Sequence, residues 1–144
     1  MTTVNTQTTQ TTAATFDVVV CGAHLSGMAL NHQLVERGGT LVAATQSAPC
    51  YQLWLIADAP PLKRPAMVRV SQGGVAIPVE IWRLSAQGFA EFVQLIPAPL
   101  GVGKVLLADG QRYCGFIAEP IALEGATDIS HLGGWRAYIQ SLSE

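Results

Sequence analysis

Apolar positions come in short runs, and their spacing changes along the chain. Residues 16–21, "FDVVVC", form a β-rich run that predicts a buried strand. A tight glycine turn follows at 22–27. Leu30 and Leu34 then stand four apart, and with Gly38-Gly39 as a stop they predict a helix over 28–37. Strands are predicted at 40–45 and 50–56. The second alternates Tyr51, Leu53 and Leu55 against Gln52, Trp54 and Ile56. After the proline-rich "DAPPLKRP", strands are expected at 67–70 and 75–84 around "QGG". Pro78 inside the later run argues for an edge or a bulge.

Phe89, Phe92, Val93 and Ile96 follow helical spacing, with Ser85 as the N-cap and Pro97 as the stop. Residues 104–108 and 111–118 flank Asp109-Gly110, which predicts a hairpin with a type I′ turn. Trp135, Tyr138, Ile139 and Leu142 predict a short C-terminal helix. One strand–helix–strand start is followed mostly by strands, which is not the steady alternation of a doubly wound sheet. The expected class is α+β: a small mixed, barrel-like sheet with two or three short helices.

Composition narrows the partners. The chain has 144 residues, 49% hydrophobic and only 12% charged, so residues 16–144 suffice for one domain with a real core. Residues 1–15 form a Thr-rich tail without Lys, Arg or an apolar stretch, expected to be disordered, dispensable and not a targeting peptide. The formal net charge is −2, and no basic cluster exceeds Lys63-Arg64, so nucleic acid has no electrostatic footprint. No apolar run approaches a membrane span. The three cysteines, Cys21, Cys50 and Cys114, make no metal-type spacing and are expected to be reduced thiols of a cytoplasmic protein.

The chemistry concentrates in "DVVVCGAHLSGMALNHQL". It has the outline of a dinucleotide-binding turn, but His24 stands where the second glycine would let the backbone touch a pyrophosphate. The ribose-binding acid expected some twenty residues on is missing from "TLVAATQS". No dinucleotide cofactor is expected, and no other. The same turn can serve a carboxylate: backbone N–H groups converge there, and His24 adds a group that can donate a proton near neutral pH. His32, further along, is expected to be the more structural of the two.

Other signals are thin. No H-E-x-x-H or other metal-ligand spacing occurs, and no G-x-S-x-G elbow. Phe89 and Phe92 read as core. Glu80, among apolar neighbours in "PVEIW", is a paired buried acid, a site residue or an ordinary surface charge, and the sequence leaves these open. Glu119 and Arg136 read first as surface charges.

The segments "VVVCGAHLSGMALNHQL", "APCYQLWLI", "VEIWRLSAQGFAEFV", "IPAPLGVGKVLLADG", "GFIAEP" and "GGWRAYI" together resemble the C-terminal domain of allophanate hydrolase. The resemblance runs over almost all of 16–139. It implies a fold similar to γ-glutamylcyclotransferases. In that family an amidase domain deaminates allophanate to N-carboxycarbamate, and the small domain is assigned the decarboxylation of that product. The implied substrate loop is Gly22, Ala23, His24 and Leu25, with His24 catalytic. Ser26, Asn31, Tyr51, Glu80 and Arg136 complete the candidate substrate contacts.

Two departures qualify the resemblance. No amidase segment or Ser-Ser-Lys machinery is present, so the chain is expected to be free-standing or excised from a larger protein and not to cleave allophanate itself. Cyclotransferases carry a glutamate in an L-D-x-x-E-G-like segment where this chain reads "EFVQLIPAP", which argues against cyclotransferase activity. Three readings follow: a decarboxylase of N-carboxycarbamate or a related small carboxylated amide, a non-catalytic accessory subunit that binds a metabolite, and a cyclotransferase. The implied partners are that small substrate and a separate amidase or urea carboxylase, with a homodimer left open.

Overall fold

The structure is a computed structural model that describes residues 13–57 and 62–143. Most of the expected tail therefore lies outside the described residues. Its last residue, Thr15, already opens the first strand.

A five-stranded sheet carries the core, in the order β2-β5-β1-β7-β6. Its strands are β1 (Thr15–Val20), β2 (Thr40–Gln46), β5 (Pro78–Ser85), β6 (Leu100–Leu106) and β7 (Arg112–Ala118). The apolar run of β1 is buried because it is central: Val18, Val19 and Val20 are at most 1% exposed. It runs antiparallel to β5, with Val20 opposite Glu80, and parallel to β7, with Val19 opposite Gly115. A second sheet, β4-β3-β8, is built from β3 (Tyr51–Leu55), β4 (Pro65–Arg69) and β8 (Thr127–Asp128). The Tyr51 hydroxyl accepts the Leu106 N–H at 2.8 Å and joins the two sheets. The expected mixed α+β architecture is thus present, but as two sheets rather than a closed barrel.

Among the described residues, three short α-helices accompany the sheets. α1 spans only His32–Val35, far less than the predicted 28–37. The preceding residues are instead held in turns by Leu30 N–H donating to Ala23 O and the Asn31 amide donating to His24 O. α2 (Ala86–Gln94) starts where expected, with Ser85 Oγ accepting the Gly88 N–H at 3.0 Å, and buries Phe92 completely. α3 (Trp135–Ser141) packs Trp135 and Tyr138 inward.

Two turns differ from expectation. The run predicted as one strand over 75–84 breaks before Pro78: Val75 makes an isolated bridge to Tyr51, and Pro78 begins β5, a position that needs no N–H in the ladder. The β6–β7 hairpin is not a two-residue type I′ turn. Gly110 N–H donates to Leu107 O, which places Gly110 fourth in the turn, at φ +85°. Asp109 takes the Gln111 N–H on its carboxylate at 2.8 Å, a local bond that favours this wider turn.

Candidate functional site

Strand β1 ends at the centre of the sheet, and the chain must turn away there. Gly22 is required at the turn because the Pro65 ring lies over it: a Cβ would come within 2.5 Å of Pro65 Cγ. Consecutive turns follow, with Leu25 N–H donating to Gly22 O and Met28 N–H to Leu25 O. Among the described residues, no protein acceptor takes the N–H of Ala23 or of His24.

The His24 side chain is 8% exposed. Its ring meets Phe92 edge-on at 4.9 Å and Phe116 at 5.2 Å. Nε2 lies 2.7 Å from Gln33 Oε1, which makes Nε2 the protonated nitrogen of the neutral ring. Burial among these aromatics lowers the imidazole pKa below its ordinary 6.5, the Gln33 bond opposes that, and the charges of His32 and Arg64 add to the lowering. At neutral pH the free protein therefore holds a neutral imidazole here.

His24 lines a cavity of about 210 Å³ together with Cys21, Gly22, Ala23, Gln33 and Arg64. The remaining wall is apolar, from Val20, Leu30, Pro65, Leu95, Pro97, Leu100 and Phe116. Arg64 and Gln33 were not singled out from the sequence. Arg64 reads there as half of the Lys63-Arg64 pair in a proline-rich connection, and it reaches the cavity because it immediately precedes β4, whose first residue, Pro65, lies against Gly22. Gln33 lies nine residues from His24, a separation with no periodic meaning until the turns fold back.

The other predicted residues divide by place. Gly22 and Ala23 line the His24 cavity, and Asn31 holds the loop from behind by donating to His24 O at 2.8 Å. Leu25, Ser26, Glu80 and Arg136 form a cluster away from that cavity. Glu80, 4% exposed, accepts the Ser26 N–H at 2.8 Å, the Ser26 hydroxyl at 3.0 Å and the Trp82 indole N–H at 2.9 Å, all on Oε1. Arg136 lies 3.5 Å from Glu80 Oε2 and also donates to Ser26 O. Glu80 is thus the paired buried acid among its open readings, and Arg136 is its partner rather than an isolated surface charge. Leu25, Glu80 and Arg136 border a separate hollow of about 250 Å³. Tyr51 is buried between the sheets and does not line the His24 cavity. His32 is exposed and bonds Glu36 at 3.2 Å, four residues on.

Among the described residues no helix is long and apolar enough to cross a membrane, and no three His, Cys, Asp or Glu side chains gather as metal ligands.

A small α+β domain that turns a glycine–histidine loop off its central strand, with imidazole and guanidinium in one cavity, is the class that fold and site define. The chain belongs to the allophanate hydrolase C-terminal domain family, whose model matches residues 16–140. It is 33% identical over 130 residues to a urea amidolyase of Saccharomyces cerevisiae, covering 88% of this chain but 7% of that protein. The chain thus spans a small fraction of the curated relatives it matches. Its fold is similar to that of a Kluyveromyces lactis allophanate hydrolase, with a TM-score of 0.85 at 30% identity, over 90% of this chain and 22% of the other. It is also similar to a protein described as specific to uropathogenic E. coli, with a TM-score of 0.80 at 37% identity over 88% of this chain and 97% of that one.

Proposed function

We propose that this domain decarboxylates small N-carboxylated amides, with N-carboxycarbamate as the parent substrate, in urea and allophanate nitrogen metabolism. The observation that carries this reading is the shared cavity of His24 and Arg64 at the end of β1. Family membership supports the metabolic setting.

In the reaction the bond between the amide nitrogen and the departing carboxyl carbon breaks. Its electron pair stays on nitrogen, a proton arrives there, and CO2 leaves. Arg64 and the N–H groups of Ala23 and His24 receive the carboxylate oxygens. His24 supplies the proton. Its imidazole is neutral in the free protein, but an anion bound beside it favours the charged form and draws a proton onto the ring. The Phe92 and Phe116 rings packed against the imidazole keep that interaction strong. The Glu80–Ser26–Arg136 cluster has a positioning part, fixing the loop that carries His24.

The reaction needs a supplier of N-carboxylated amide. A separate amidase or urea carboxylase is the proposed partner, consistent with relatives that are named for urea amidolyase activity. The test generates N-carboxycarbamate in place with an allophanate-cleaving amidase and follows CO2 release with and without this domain. Acceleration over the spontaneous rate supports the reading. Anion binding at His24 without acceleration would replace it with a metabolite-binding role.

A further inference from the structure

Resting on that reading of the site, we infer that Gln33 is a positioning residue: it fixes the His24 tautomer, so that Nδ1 and not Nε2 takes up the proton and hands it to the substrate nitrogen. The observation that carries this is the 2.7 Å contact between His24 Nε2 and Gln33 Oε1. An amide oxygen accepts and cannot donate, so the nitrogen facing it keeps its proton throughout.

Nδ1 is the free nitrogen. It has no hydrogen-bond partner among the described residues, yet the one buried side-chain polar atom left unpartnered there is Arg37 Nε. Nδ1 is therefore not sealed in. It stays open to solvent, and the hollow that His24 lines is the cavity it shares with Arg64.

The fold holds Gln33 in place. Leu30 N–H donates to Ala23 O and the Asn31 amide to His24 O, which turns the chain back until residue 33 stands beside residue 24. The Gln33 backbone is then anchored from both sides. Its neighbour Leu34 is fully buried, and Arg37 Nη1 donates to the Gln33 carbonyl at 2.9 Å. Arg37 is tied in turn to α2, with Nε 3.4 Å from Glu91 Oε1. Such a supporting shell is what a catalytic imidazole needs to keep one orientation.

The residue type matters as well. A carboxylate in this place would favour a standing imidazolium. The neutral amide leaves the ring uncharged until an anion binds beside it. Burial lowers the ring's pKa most, and the charges that add to the lowering are His32 on α1 and Arg64 before β4. Cys21 also lines the cavity, but its thiol is pushed up to about 12 and stays neutral. α2 and β7 face the ring with Phe92 and Phe116. A bound carboxylate thus brings one proton to Nδ1. Nδ1–H gives that proton to the substrate nitrogen as the C–N bond breaks and its electron pair stays on nitrogen. Imidazolium and the N-carboxycarbamate dianion become neutral imidazole, carbamate and CO2.

The test is a long-range proton–nitrogen NMR spectrum of the intact chain carrying isotope-labelled histidine, with His24→Asn identifying the His24 signals. Wild type at neutral pH should show the proton on Nε2 and a bare Nδ1. Acetate, added at constant pH and ionic strength, should protonate Nδ1. Gln33→Leu should move the ring toward the Nδ1–H form and cut the acceleration of CO2 release at least about tenfold, the cost of a wrong tautomer. Gln33→Glu keeps an acceptor oxygen, so it should retain the Nε2–H form and raise the pH at which His24 titrates. A wild-type ring protonated on Nδ1 without acetate, a ring that acetate leaves neutral, Gln33→Leu with the wild-type tautomer or the wild-type rate, or an unmoved titration in Gln33→Glu would overturn the inference. The decarboxylation reading is judged separately. It falls, and proton delivery with it, if wild type gives no acceleration, while the spectra still decide the tautomer. Unchanged CO2 release in Gln33→Leu beside a His24-dependent wild type removes only the part given to Gln33.

Discussion

One carboxylate oxygen of Glu80 accepts both the backbone N–H and the hydroxyl of Ser26, 54 residues away along the chain. Glu80 sits on β5 opposite Val20, the last residue of β1. The acid thus reaches over the strand end and holds the turn two residues beyond His24. Ser26 is held on its other side too, since Arg136 donates to its carbonyl.

That arrangement predicts a large cost for removing the carboxylate. Glu80→Ala leaves the Ser26 N–H and the Trp82 indole N–H without an acceptor. Each buried orphan donor costs about 1–3 kcal/mol, so a loss of about 3 kcal/mol is expected in urea unfolding. Glu80→Gln keeps one acceptor and should lose about 1 kcal/mol. The contribution from Arg136 is small, because its side chain is 43% exposed and water screens the pair. Equal stability of Glu80→Ala and wild type would dissolve the clamp.

Stability should depend on pH through His24. Its folded-state pKa is lowered mainly by burial, so the unfolded chain binds the proton more readily. The corresponding stability is fully present above the ordinary histidine value of 6.5 and is lost as pH falls below it, until the folded-state pKa is reached. Unfolding curves taken stepwise downward from neutrality should show this fall in wild type and a shallower one in His24→Asn. Parallel pH profiles for the two proteins would contradict the assignment.

Gly22→Ala tests the close approach of the Pro65 ring to the loop. Its Cβ would meet Pro65 Cγ at 2.5 Å and Cδ at 2.6 Å, and a proline ring cannot rotate out of the way. Overpacking of this kind costs about 1–3 kcal/mol. Because Pro65 must shift and Arg64 directly precedes it in the cavity lining, carboxylate binding should weaken along with stability. Calorimetry and an NMR titration with acetate measure the two effects on one sample.

The cysteines should differ sharply in reactivity. Cys21 is buried, and desolvation pushes its thiol up to about 12, so almost no thiolate exists at neutral pH. Cys50 and Cys114 are only partly buried. A chromogenic disulfide reagent should label those two in the native protein and Cys21 only on unfolding. Native labelling of Cys21 would mean that the loop above it opens.

Local chemistry made much of the fold legible. The apolar run of β1, the Ser85 cap with its phenylalanine spacing, and the tryptophan–tyrosine spacing of α3 each act within a few residues. So does the glycine turn that carries His24. What the sequence hid depends on chain segments that meet only after folding. Leu30 and Leu34 suggest a full helix, yet Leu30 N–H and the Asn31 amide are drawn back to Ala23 and His24, and only His32–Val35 remains helical. Asp109-Gly110 marks a hairpin correctly, but the Asp109 carboxylate selects the wider turn. Glu80 could not be placed until β5 was known to lie beside β1. Arg64 and Gln33 carry no local pattern at all and enter the cavity through tertiary structure alone.

The most direct test of the account is the rate of CO2 release from N-carboxycarbamate generated in place by an amidase, compared between wild type and His24→Ala. The substitution removes a ring wedged between Phe92 and Phe116, so circular dichroism must first establish that the variant is folded. The account predicts that the acceleration over the spontaneous reaction falls at least about a hundredfold, the contribution expected of a lost general acid. A folded His24→Ala protein that releases CO2 as fast as wild type would contradict it.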